Sequence, residues 1–351
     1  MRSNLRELPQ ATRDPNLRSQ VARIVENLCP IQYSRLASSE IDYYGASNNI
    51  ARALHFEGIP YTRASWLHGW VPYPLVTPEL LVNQGCVVCC EVGEVPNLLV
   101  TKNQEVFLKG KGYPHAKAVG APFLYTQKPS VKRIANSLLI MPEHSLRETN
   151  INYEQAKGSS LPDTLGNLRN RFSTIIACLG GFCIQKNNYL ESFEKAGLPW
   201  VTGAWLHDAF ALQRMRNLFS QFEYVATNSI GSHIPYAGFS GCKVSYYGKG
   251  HNRPREDYLS TPIYEKYPHL IDFVDGEQKI ETLRERYPFL FSDIENSNLI
   301  KEWSNEVLGS KNKIPEQQVA ELIGWKIRPK DEMSWEYIPG ENPGLDDPSR
   351  G

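Results

Sequence analysis

The segment YVATNSIGSHIPYAGFSGCKVSYYG, residues 224–248, concentrates the residue types best suited to hold an anion. A β-prone apolar run ends at Thr227, the small and mostly polar run Asn228, Ser229, Ile230, Gly231, Ser232 follows, and His233 to Phe239 reads as a helix. Such a loop offers unpaired backbone N–H groups, hydroxyl donors and the positive end of a helix dipole, which together hold a phosphate without many Arg or Lys. The carboxyl end of a strand is also where ligands bind in open α/β sheets. The same residues equally read as a helix cap, Ser229 or Ser232, beside a turn glycine, Gly231.

Transfer chemistry at such a loop needs a group that takes a proton from the acceptor. His68, in the strand-end turn WLHGW, is the first candidate, and a histidine hydrogen-bonded within a cluster of Trp66 and Trp70 is the alternative. Glu91, with Glu94 in CCEVGEVPN, is a second candidate at a strand end. Asp208 follows His207 at a helix start, where an acid serves as well for a cap as for catalysis. Glu143, His144 and Ser145 close another strand, in MPEHS, and are expected to face the same cleft, with His144 and Ser145 on the donor. Lys249, His251, Arg253 and Arg255 follow the last strand and are expected to sit in a solvated loop.

Several chemistries find no motif. No G-x-G-x-x-G follows a strand, no G-x-x-x-x-G-K-[ST] occurs and no G-x-S-x-G occurs, against a dinucleotide dehydrogenase, a P-loop kinase and a serine hydrolase. No D-x-D stands in the chain body, so a metal-independent reaction with no cofactor is expected. Cys86 and Cys89 form a C-x-x-C, yet GCVVCCEV reads as a buried strand, and seven cysteines in apolar surroundings suit reduced thiols better than a disulfide framework.

The elements that must position these residues alternate. An N-terminal helical segment, residues 1–35, precedes a helix over Asn48–Glu57 that stops at Gly58. NLLVTKN, QEVFLKGKGY, AKAVGAPFLYT and SLLIMPEHS then read as short β-rich runs with turns and one helical stretch. A polar connection over about 145–165 leads to RFSTIIACLGG, NNYLESFEKAG, PWVTGAW, DAFALQRMRNLFSQF, YVATNS and CKVSYYG, which alternate strand and helix. The expected fold is α/β, with two Rossmann-like domains facing a central cleft: 36–150, then 151–310, followed by a C-terminal helix and flexible tail over 311–351, with no new strand series after Gly250.

Bulk composition agrees. A chain of 351 residues exceeds what one core usually serves, so two cores are expected. Lys plus Arg and Asp plus Glu are both 38, which gives no overall field for nucleic acid. The apolar stretch Thr174–Ile184 is about half the length of a bilayer crossing and MRSNLRELPQ has no apolar signal core, so a cytoplasmic protein is expected.

The run TNSIGSHIPYAGFSGCKV resembles the donor-site loop and helix of GT-B-fold glycosyltransferases that build bacterial surface polysaccharides such as capsule and lipopolysaccharide. PWVTGAWLHDAFALQRMRNLFSQFEYV resembles the stretch leading into that loop. WLHGW and LLVTKNQEVFLKGKGYPHAKAVGAPFLY resemble the acceptor side of the same group. The resemblance covers roughly residues 40–250. It implies a nucleotide-sugar donor held by Asn228, Ser229, Gly231, Ser232 and His233, a glycan or lipid-linked acceptor on the first half, and peripheral membrane contact where the acceptor is lipid-linked. A nucleotide-sugar epimerase of similar layout, and a binding protein without catalysis, are the alternatives.

Overall fold

The computed structural model describes residues 8–34, 38–39, 42–56, 58–60, 62, 64–82, 96–145, 165–187, 190–247, 255–259, 262–330 and 335–338. Glu91 and Glu94, the C-x-x-C, Lys249, His251 and Arg253 lie outside the described residues.

The first helix, α1 (Pro15–Glu26), starts where the Asp14 carboxylate accepts the free N–H groups of Asn16 and Leu17, and it buries Leu17, Val21 and Ile24. A second, α2 (Ala46–Ala53), follows Gly45, whose φ of +71° and tight approach to the Ala209 carbonyl require a glycine. Strands β1 (Ser65–Trp66), β2 (Asn97–Leu99) and β3 (Ala116–Ala118) form a small parallel sheet in chain order. The link from β2 to β3 is α3 (Lys102–Gly110). Its QEVFLKG sequence, one of the runs among which a helical stretch was expected, is helical because Thr101 and Gln104 form a reciprocal capping box and Glu105 reaches Lys102 and Lys109 one turn away on either side.

The large sheet contains β4 (Ile134–Met141), β5 (Thr174–Leu179), β6 (Trp200–Thr202), β7 (Phe222–Thr227), β8 (Lys243–Tyr246) and β9 (Asn298–Leu299), in the order β9-β8-β7-β4-β5-β6. All neighbours are parallel except β9, which runs antiparallel on the β8 edge. Numbered along the chain, the five parallel strands lie 5-4-1-2-3, the order of a doubly wound α/β sheet with its reversal between β4 and β7. SLLIM, expected to close the first half, is therefore the central strand of the second sheet: its unbroken apolar run suits a position covered on both faces.

Period-two alternation divides the strands between two apolar layers. Leu139, Cys178, Val201 and Val225 face α7 (Ala211–Gln221) and α8 (His233–Phe239), packing with Leu212, Met215, Leu218 and Ile234. On the opposite face Leu138, Ile140, Leu179 and Trp200 meet Leu168, Ile184, Leu190 and Phe193, from α4 (Leu165–Arg169), α5 (Gly181–Gln185) and α6 (Leu190–Lys195). The small sheet joins the first layer: Trp66, Leu98 and Val119 belong to the same buried cluster as Leu139 and Val225. The two larger apolar clusters thus lie on opposite faces of the large sheet, and a third joins Leu80 to Tyr258, Ile263, Leu270 and Val274. Phe123 stacks on Tyr236 at 3.9 Å and 9°, and Trp70 meets the edge of Trp303 at 5.0 Å, which bind the two sheets together.

Beyond the sheet, α9 (Lys301–Val307) packs on α8, and α10 (Glu316–Leu322) packs on α2. Strands do recur late in the chain: besides β9, the pair β10 (Ile327–Pro329) and β11 (Trp335–Tyr337) is antiparallel. The segment expected as a loose tail is held at residues 335–338, where the Tyr337 ring lies 4.1 Å from Phe56 and its hydroxyl donates to the Gly58 carbonyl at 2.7 Å. Among the described residues, no helix is long and apolar enough to cross a membrane.

Candidate functional site

The strand order reverses between β4 and β7, and the connections leaving these two neighbours go to opposite faces, the place where open α/β sheets bind ligands. Pro142–Ser145 leaves β4 and Asn228–Ser232 leaves β7. The two loops are tied directly: the Glu143 N–H donates to Asn228 Oδ1 at 2.7 Å, while Tyr246 from β8 donates its hydroxyl to the Asn228 carbonyl at 2.8 Å. His144 is exposed, and Glu143, Asn228, Ser229, Gly231, Ser232 and His233 are half-buried, so polar groups of both loops keep access to solvent. Ser145 is buried beneath them, its N–H on Cys183 Sγ at 3.1 Å, and is not on the surface where a donor was expected to meet it.

His233 opens α8 with Nε2 at 2.8 Å from Thr227 Oγ1, and the Ser229 N–H donates to the same hydroxyl at 3.3 Å. Burial pushes its pKa down to about 3, nearby His144 adds to the effect, and a bond with the Ser229 backbone opposes it. The imidazole is neutral at pH 7 and brings hydrogen-bonding capacity but no positive charge. A Cβ on Gly231 would stand 3.1 Å from His233 Nδ1, so the glycine leaves the ring its place.

The third wall comes from the small sheet. The turn after β1 holds His68, half-buried, with its ring 5.3 Å from Tyr44 and 6.0 Å from Tyr43. Ser232 Oγ accepts the Trp70 N–H at 3.1 Å, the Tyr236 hydroxyl donates to the His68 carbonyl, and Gly69 packs so tightly on Ser232 that a side chain there would overlap it. Ser232 therefore clamps the two sheets, with its own O–H and one lone pair left for a ligand. Tyr44, adjacent to His68 in space, has φ +59°, a conformation uncommon outside glycine.

Asp208 lies elsewhere. It is fully buried, and Oδ1 accepts the N–H groups of Gln32 and Phe210, each at 3.0 Å. Burial raises its pKa, with those two N–H groups and Arg214 pulling the other way. Arg214 is also fully buried and donates to the Thr202 carbonyl at 2.7 Å, Gln10 Oε1 at 2.6 Å and the Cys29 carbonyl at 2.5 Å. This network fastens the N-terminal segment to β6 and α7, and a carboxylate with no solvent access is not placed to serve a substrate. Arg255, expected in a loop, opens the short helix Arg255–Leu259 and pairs with Asp272 on the surface.

Two features of the crevice have only faint sequence signals. Gly180–Gly181, after β5, separates His144 from Trp205: a Cβ on Gly180 would stand 3.2 Å from that of His144, and one on Gly181 would overlap the Trp205 ring. A Gly-Gly at a strand end is the visible trace of this close approach. The second is the ring cluster around Trp205, whose members Tyr33, Phe182 and His207 come from three separate stretches of sequence. Among the described residues no group of three or more His, Cys, Asp or Glu side chains is placed to hold a metal ion.

A scan against protein-family models finds no match for this chain, and a search of curated proteins finds none.

Proposed function

We propose that the chain is a glycosyltransferase that moves a sugar from a nucleotide-activated donor to a glycan or lipid-linked acceptor, without a metal, on the cytoplasmic side. The observation that carries this reading is the bonded pair of loops at the strand-order reversal, Glu143 N–H on Asn228 Oδ1 at 2.7 Å, with His144 and His233 on either side. The donor phosphates lie across Asn228–His233, where backbone N–H groups and the Ser229 and Ser232 hydroxyls meet the charge that grows on the leaving phosphate. In GT-B terms, the six-stranded sheet is the donor side and the three-stranded sheet the acceptor side. His68 is the base that takes the acceptor's proton, and Glu91 is the second candidate for that role.

The test is release of the free nucleotide from a panel of UDP-, GDP-, CDP- and CMP-sugars in the presence of saccharide acceptors. The expected result is acceptor-dependent release from one donor class, reduced at least about a hundredfold in His68→Ala with donor binding retained. Unchanged turnover in His68→Ala rejects His68 as the base. Donor binding without turnover by the native chain supports a binding protein in place of the enzyme.

A further inference from the structure

Tyr33 and His207 flank Trp205 at the carboxyl ends of β5 and β6, with Phe182 against His207, one step along the sheet edge from the reversal. Trp205 is 3% exposed, with ring centroids 4.9 Å from His207 and 6.1 Å from Tyr33, and Tyr33 lies 5.9 Å from His207. Tyr33 is 45% exposed, one of few large apolar residues turned so far to solvent, although its backbone is pinned by the Tyr33–Asp208 bridge and the Ser34 N–H on the His207 carbonyl at 2.8 Å. Trp205 Nε1 is buried and has no hydrogen-bond partner among the described residues.

The shelf is continuous with the crevice. A Cβ on Gly180 would crowd His144 and one on Gly181 would overlap the Trp205 ring, so the two glycines let both side chains approach the same turn. β4 to β6 is two strand spacings, about 10 Å, a distance one nucleotide covers with its phosphates at one end and its base at the other. We infer that Tyr33 and the rings around Trp205 form a stacking shelf for the planar base of the nucleotide whose phosphates occupy the crevice. This rests on the reading of the crevice as a nucleotide site. A planar face packs on an exposed aromatic ring such as Tyr33 at little entropic cost.

The test is calorimetric binding of UDP, CDP, GDP and ADP, with inorganic pyrophosphate as the base-free probe, to the full chain and to Tyr33→Ala and Tyr33→Phe. Tyr33 is exposed, so both variants should fold, as checked by circular dichroism. Stacking predicts that Tyr33→Ala weakens the preferred diphosphate about tenfold, that Tyr33→Phe stays within about twofold because the ring remains, and that pyrophosphate binds all three alike. Native affinity in Tyr33→Ala, or an equal loss for pyrophosphate, removes the shelf and leaves the crevice standing. A native chain that binds no nucleotide removes both.

Discussion

Glu143–His144 after β4 and His207–Asp208 after β6 are both acid–histidine pairs at the carboxyl end of a parallel strand of one sheet, yet the fold uses them differently. The first pair sits where strand order reverses, and His144 is exposed with Glu143 half-buried beside Asn228. The second sits under the N-terminal segment: Asp208 has no exposed surface, and its carboxylate and Arg214 bind the backbone of residues 10, 29 and 32. The difference teaches that a polar strand end stays open to solvent or becomes a structural anchor according to what the rest of the chain lays over it. Burial converts an acid from a reagent into a tie.

The largest effect that would sharpen this contrast is on the anchor. Arg214→Met leaves the Thr202, Gln10 and Cys29 acceptors and the Asp208 carboxylate without their cation, and should cost about 3–5 kcal/mol in urea unfolding. A loss below about 1 kcal/mol would break the description of this network as a structural tie.

His233 provides the next. Its folded pKa, near 3, is below the unfolded value, so the unfolded chain binds a proton that the folded one refuses. Its stabilising contribution is complete above about pH 6.5 and is lost as pH falls toward 3, with a slope of up to about 1.4 kcal/mol per pH unit. His233→Gln should flatten that part of the stability profile, and an unaltered profile would contradict the burial assigned to the ring.

Asp208 has the opposite sign. Its raised pKa means that its contribution is present below the unfolded value, about 3.9, and is lost as pH rises through the folded value. Asp208→Asn should therefore hold its stability better than the native chain as pH rises from about 4, by roughly 1 kcal/mol, a change that chemical denaturation at stepped pH resolves. The smallest effect belongs to His144→Ala: the side chain is exposed, so its stability should stay within about 0.5 kcal/mol of the native chain.

Much of the large sheet was legible because its strands and helices obey simple periods. TIIACL, FEYVAT and KVSY are apolar runs bounded by turn residues, and HIPYAGF forms a helix at His233–Phe239 as its pattern predicts. What was not legible depends on partners distant in sequence. Nothing local to SLLIM says that it pairs with strands about 40 and 90 residues later. The exposure of Asp208 is decided by Gln32, some 176 positions away, as the clamp from Ser232 is decided by Trp70. Hydrogen-bond capacity can be read from residue type, whereas its expenditure within the fold cannot.

The most direct measurement is calorimetric titration of nucleoside diphosphates into the native chain, His144→Ala and Asp208→Asn. A ligand site at the strand-order reversal predicts that one diphosphate binds the native chain, that His144→Ala weakens it at least about tenfold, and that Asp208→Asn binds it as the native chain does. The reverse pattern, with affinity lost in Asp208→Asn and kept in His144→Ala, would place the phosphates away from the strand-order reversal and contradict the account.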